Sequence, residues 1–222
     1  ELIRPSVIRK NPIELWMGVT DVETGRVEFY SSKDESVGLR DILLASANIP
    51  GIVDYKSYIN GRLKVDGGVV QPIPYEFVTQ TLGFEPRDVL TISSQDNEYV
   101  DPPLGFKAKL LFNRPYPTKK YPELNILLHR THETYNRCAE LVRREALLGK
   151  TNLIAPSVSV RKLAEKLSLV PMLNNEFSMS MEYAQVGQLA AKNYLHKISH
   201  KRFIKNYSTD QKTYTIRNNV AS

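Results

Sequence analysis

Hydrophobic residues in this chain fall into short blocks separated by turn residues. Residues 13–22 form an apolar run of the kind found in a buried strand. Residues 21–25 read as a turn, and residues 26–30 alternate between apolar and polar positions, as a second strand does. Two further runs, residues 88–94 and 152–155, predict strands later in the chain.

Apolar residues recur at helical spacing in five other segments, and proline or glycine marks the end of three of them. The predicted helices cover residues 34–46, 74–82, 129–148, 160–167 and 178–195. Because strands and helices alternate along the chain, the pattern predicts an α/β fold with a mainly parallel sheet covered by helices.

The stretch from Tyr58 to Pro74 combines a hairpin signal with candidate chemistry. Asn60 and Gly61 lie between two β-prone runs, which predicts a two-residue type I′ turn. The returning strand ends at Asp66, and two glycines follow it. Glycine has no Cβ and lets backbone approach closely, so the Asp66 carboxylate could lie at an open strand end beside another group.

Two motifs occur in a recognisable order: LRDILLASANIP at residues 39–50, and VDGGVVQPIP at residues 65–74. Together they resemble the patatin-like phospholipases of bacterial type. The resemblance implies a three-layer α/β/α fold and a lipid acyl hydrolase of the esterase or phospholipase A type, with a Ser-Asp catalytic dyad. It implies that Asp66 is the proton acceptor, within the DGG motif formed by Asp66, Gly67 and Gly68.

The nucleophile of that family lies in a Gly-x-Ser-x-Gly elbow after a glycine-rich oxyanion loop, and neither segment occurs in these 222 residues. We therefore expect the chain to be the C-terminal part of a longer protein. Ser46 is rejected as a substitute nucleophile because it lies near a helix end without an elbow or an adjacent base. A non-catalytic lipid-binding or protein-binding module is the alternative interpretation.

Other chemically reactive residues fit structural roles better. Asp21 is expected to bond to the backbone of its own turn. The pairs His129/His132 and His196/His200 have spacings that permit metal binding, but no carboxylate or cysteine accompanies them at ligand spacing. Cys138 is expected to pack in the core, and one cysteine cannot form an internal disulfide. We expect no metal and no cofactor.

Charge is concentrated at the C-terminus. The chain carries a net charge of +6, and from His196 onward six basic residues face Asp210 alone. We predict a domain over residues 1–198 and a basic tail over 199–222, solvated or in contact with an anionic membrane. No motif indicates nucleic-acid binding. The expected location is cytoplasmic, with peripheral membrane contact as a hypothesis. The proline-rich residues 97–125 predict either a lid over an acyl pocket or an irregular surface loop.

Overall fold

The computed structural model describes residues 4–51, 53, 55–103, 105, 120–156 and 184–198. The chain divides into two compact units. The first contains Glu1–Pro86 and Val100–Leu148, and the second contains Arg87–Tyr99 and Gly149–Ser222. The predicted helix over 160–167, the tail over 199–222 and most of residues 104–119 lie outside the described residues.

The first unit is built on a four-stranded antiparallel sheet. Its strands are β1 (Trp16–Asp21), β2 (Val27–Ser31), β3 (Ser57–Ile59) and β4 (Arg62–Asp66), in the spatial order β2-β1-β4-β3. The predicted turn between β3 and β4 is confirmed, since Asn60 and Gly61 both have positive φ, at 52° and 74°. Positive φ at both central residues is the requirement of a type I′ turn.

Helices pack on the sheet through two separate hydrophobic clusters. Helix α2 (Leu39–Ser46) places Leu39, Ile42 and Ala45 against Met17 and Val19 of β1. The second cluster joins β4 to α4 (Pro122–His129), and its buried members are Val22, Leu63, Val65, Val69, Leu124 and Leu128. Apolar side chains from alternate positions of β1 and β4 therefore support the strand that ends at Asp66.

The described residues also form the helices α1 (Pro5–Lys10), α3 (Phe77–Thr81), α5 (Thr131–Leu147) and α6, over residues 184–198. Helix α3 is wound with the wider π geometry, and Gly83 follows it with φ of 75°. Helix α2 begins five residues after the predicted start because Asp34 instead accepts a hydrogen bond from the Ser36 N–H in a local turn. Among the described residues, no helix is long and apolar enough to cross a membrane.

The second unit contains a two-stranded parallel sheet of β5 (Leu90–Ile92) and β6 (Asn152–Ile154). Both strands were expected from their apolar runs. Leu90 and Ile92, however, are 47% and 73% exposed, so β5 is not the buried strand that its composition predicts.

The predicted three-layer α/β/α fold with a mainly parallel central sheet is wrong. The larger sheet is antiparallel throughout, and within the described residues only the short β5-β6 pair is parallel. The reason lies in the connections: β3 joins β4 through two residues, and β1 joins β2 through five. A parallel pair needs a crossover of a dozen or more residues, so connections this short impose antiparallel pairing of β1 with β2 and of β3 with β4. Helix α2 does provide a long connection, but it leads from one edge strand to the other.

Candidate functional site around Asp66

Asp66 is the last residue of β4 and immediately precedes a tight 3-10 turn at Gly67–Val69. Its carboxylate oxygen Oδ1 accepts a hydrogen bond from the Gly68 N–H at 2.6 Å. The side chain is partly buried. The DGG motif is therefore more than a solvent-exposed turn, since the N–H of its second glycine binds the carboxylate of its aspartate.

Burial raises the pKa of the Asp66 carboxyl, because a charged group loses favourable hydration when it leaves water. The hydrogen bond from the Gly68 N–H favours the charged form but does not cancel the effect of burial. Within the part of the chain that the structure describes, no cationic side chain pairs with Asp66. A carboxylate with a raised pKa binds a proton more readily than an ordinary surface aspartate, as a general base must.

The main chain of Asp66 is held from two directions. Its N–H donates to the carbonyl oxygen of Asn48 at 3.0 Å, and its own carbonyl oxygen accepts from the Thr20 hydroxyl at 2.9 Å. Asn48 belongs to the ASANIP segment that follows α2. The two motifs that carried the resemblance therefore meet at Asp66, although they are separated along the chain.

Gly67 is required by close packing between β1 and the turn. A Cβ atom on Gly67 would lie 2.6 Å from the carbonyl oxygen of Gly18 and 2.9 Å from its Cα. Real Cβ contacts with backbone atoms are not this short, so any larger residue must displace the turn. Sequence reasoning expected glycine to permit a close approach, but it did not identify Gly18 as the neighbour.

A buried ion cluster next to the site was missed at the sequence level. The Lys64 ammonium lies 2.7 Å from Asp21 Oδ2 and 2.7 Å from Glu28 Oε1, and the Arg62 guanidinium lies 2.9 Å from Asp21 Oδ2. Lys64 and Asp21 are fully buried or nearly so. Opposite charges at cross-strand positions of two predicted strands were the available signal, but their pairing could not be known without the register.

Asp21 also forms the turn that was predicted for it, since Oδ1 accepts hydrogen bonds from the N–H groups of Glu23 and Thr24. Burial alone would raise the pKa of Asp21. Hydrogen bonds from Lys64 and Thr24 outweigh that effect and lower the pKa to about 2. Asp21 is therefore a permanently charged structural group at neutral pH.

The other candidate residues that the structure describes lie in helices. Ser46 ends α2, and the contact to Asp66 is made two residues later by Asn48. His129 ends α4 and His132 lies in α5, and His196 lies in α6, while His200 falls outside the described residues. The part of the chain that the structure describes holds no group of three or more metal-binding side chains.

Cys138 is buried in α5, as predicted, and burial raises the pKa of its thiol. The ends of the segment over 97–125 are also anchored. Asp101 and Asn136 exchange two hydrogen bonds, at 2.7 and 3.0 Å, and Leu124 is fully buried in α4. The lid hypothesis therefore applies to the middle of the segment, most of which lies outside the described residues.

No family model matches the chain, and no curated protein matches it either. The assignment of a function therefore depends on the residues that surround Asp66 and on the chemistry they permit.

Proposed function

We propose that this chain carries the proton-accepting half of a lipid acyl hydrolase of the esterase or phospholipase A type. The observation that carries this assignment is the environment of Asp66: a partly buried carboxylate at the end of β4, oriented by the Gly68 N–H, with a raised pKa. The nucleophilic serine would come from polypeptide outside these 222 residues, which contain no Gly-x-Ser-x-Gly elbow.

In the proposed reaction, Asp66 acts as base and then as acid. The serine oxygen attacks the ester carbonyl carbon while its proton passes to the Asp66 carboxylate. Protonated Asp66 then gives this proton to the departing alcohol oxygen, which leaves an acyl-serine. Water attacks the acyl group, and its proton passes through Asp66 to the serine oxygen, so that a fatty acid is released and the enzyme is restored.

We base this proposal on the site and not on the fold, because the antiparallel sheet differs from the sheet that the family resemblance implies. The meeting of the ASANIP and DGG segments at Asp66 supports it, since Asn48 of the first accepts the main-chain N–H of Asp66 and Gly68 of the second donates to its carboxylate. A lipid substrate also agrees with peripheral contact between the basic C-terminus and an anionic membrane, which we include as part of the same proposal.

The test is Asp66→Asn in the complete protein, assayed with p-nitrophenyl acyl esters of several chain lengths. We expect kcat to fall by at least about 100-fold, which is the lower range for removal of a general base. Asp41→Asn is the matched control, because Asp41 is exposed and belongs to α2 in the same unit. It should retain wild-type turnover.

Thermal unfolding separates loss of chemistry from loss of structure. A carboxyl group whose pKa is raised by folding destabilises the folded state once it ionises, so Asp66→Asn should be at least as stable as the wild type at pH 7. Near-wild-type turnover by a folded Asp66→Asn variant would overturn the hydrolase assignment and leave the binding-module interpretation.

A further inference from the structure

We propose that Thr20 is a positioning residue for Asp66, acting through a hydrogen bond from its hydroxyl to the main-chain carbonyl of the aspartate. The catalytic consequence rests on the proposed function, whereas the effect on Asp66 itself does not. Thr20 does not touch the carboxylate, and we assign it no part in proton transfer.

The placement of Thr20 in the sheet explains how it can act. Thr20 lies opposite Val65 in the register of β1 and β4, while Val19 lies opposite Asp66. Side chains at successive strand positions point to opposite faces, so the Thr20 and Asp66 side chains occupy different faces of the sheet. The Thr20 hydroxyl reaches the carbonyl oxygen of Asp66 at 2.9 Å. A change at Thr20 therefore acts first on the backbone at Asp66 and removes no direct contact of its carboxylate.

The backbone at Asp66 needs these additional hydrogen bonds because the pairing of β4 with β3 ends before it. The β3-β4 ladder ends at the pair Ser57–Lys64, so β4 has no β3 partner at Asp66. Asn48 takes that place: its carbonyl oxygen accepts the Asp66 N–H at 3.0 Å, and its amide Nδ2 donates to the Lys64 carbonyl at 3.3 Å. Thr20 fixes the carbonyl side of Asp66 and Asn48 fixes the N–H side, so both peptide groups that flank its Cα are constrained.

The chemistry of Thr20 itself points to this role. The residue is fully buried, and a buried hydroxyl costs stability unless it forms a hydrogen bond. Among the described residues, the bond to the Asp66 carbonyl is the one that satisfies the Thr20 hydroxyl. Valine would occupy nearly the same space in a strand without requiring a polar partner. Packing of β1 therefore does not require threonine at this position, whereas the hydrogen bond to the Asp66 carbonyl does.

The charged side chains near Asp66 form ion pairs with one another and none with Asp66, among the described residues. By alternation, Arg62 and Lys64 of β4, Asp21 of β1 and Glu28 of β2 share the sheet face of Asp66. These four residues form ion pairs with one another. No residue of α2 adds a charge that pairs with Asp66 among the described residues, so a change in Asp66 titration would report on its own backbone and hydration.

The experiment compares Thr20→Val, which removes the hydroxyl, with Thr20→Ser, which keeps it. In the 222-residue chain, the pKa of Asp66 is measured by NMR titration of carbon-13-labelled aspartate. We expect Thr20→Val to lower the pKa of Asp66 towards the ordinary aspartate value, because a loosened strand end admits water. Thr20→Ser should keep the wild-type value. In the complete protein, Thr20→Val should lower kcat about tenfold or more with little change in KM, since a displacement near 1 Å at a reacting group costs up to ~100-fold.

Equal Asp66 pKa values in wild type and a folded Thr20→Val variant would overturn the proposal, as would an equal loss of kcat in the serine variant. If the valine variant is too unstable to study, Thr20→Ser and Thr20→Ala form a second pair that differs in the hydroxyl alone. A shifted Asp66 pKa in a protein that hydrolyses no ester would support the role of Thr20 and refute the hydrolase assignment. The two failures are thereby distinguishable.

Discussion

Gly67→Ala is the most direct test of the packing that sets the position of Asp66. The new Cβ would lie 2.6 Å from the Gly18 carbonyl oxygen and 2.9 Å from the Gly18 Cα. Non-bonded carbon atoms prefer a separation of about 3.5–4.0 Å, so the turn and β1 must separate by roughly 1 Å. Overpacking typically costs about 1–3 kcal/mol. We expect the upper end, about 3 kcal/mol, because both contacting groups are backbone and cannot rotate away.

The loss is measured by urea unfolding with Trp16 fluorescence, since Trp16 is the one tryptophan of the chain and begins β1 of the same unit. Gly38→Ala is the matched control. Its added Cβ would meet the carboxylate of the exposed Asp41 side chain, which can rotate away, so we expect a loss below about 1 kcal/mol. A Gly67→Ala protein whose free energy of unfolding lies within about 0.5 kcal/mol of the wild-type value would refute the reasoning. It would show that the turn and β1 are not in fixed contact.

Two further predictions concern the buried ion cluster. Lys64→Met should lower the free energy of unfolding by about 3–5 kcal/mol, because Asp21 and Glu28 lose a buried cation. Arg62→Met should lower it by less than about 1 kcal/mol, because Arg62 is 44% exposed. Equal losses for the two variants in urea unfolding would contradict this. Acid should destabilise the first unit through Asp21, whose folded pKa of about 2 lies below its unfolded value. The stabilisation, on the order of 2 kcal/mol, is complete above about pH 4 and is lost as the pH falls to 2. A free energy of unfolding that stays constant over this pH range would contradict the prediction.

Local sequence signals predicted the features that depend on neighbouring residues. The Asn60-Gly61 turn follows from the φ values that those two residues tolerate, and the Asp21 turn follows from a short acceptor side chain beside free N–H groups. The helix that contains Cys138 was recognisable from its apolar stripe. Its start was misplaced by two residues, since α4 ends at His129 and α5 begins at Thr131.

The features that were missed all depend on the order of strands in space. Nothing in the run RLKVD shows that Lys64 points inward, because a lysine is buried only when its partners are present. Its partners Asp21 and Glu28 come from other strands, and their approach requires the register of β1. The same holds for Gly18 beside Gly67, and for the antiparallel direction of the sheet. The candidate Asp66 was identifiable from its motif, but its hold by Thr20 and Asn48 was not.

The two-residue loop between β3 and β4 has a consequence for how this sequence can change over time. Exposed side chains of the hairpin, such as Tyr58, can be exchanged one at a time, but a change in the number of loop residues alters the whole strand register. One additional residue in the β4 register would exchange Val65 and Asp66 between the two sheet faces, which would bury a carboxylate against α4 and leave an aliphatic group in its former place. The length of the Asn60-Gly61 loop thus fixes the register of β4, and with it the face of the sheet on which the Asp66 carboxylate lies.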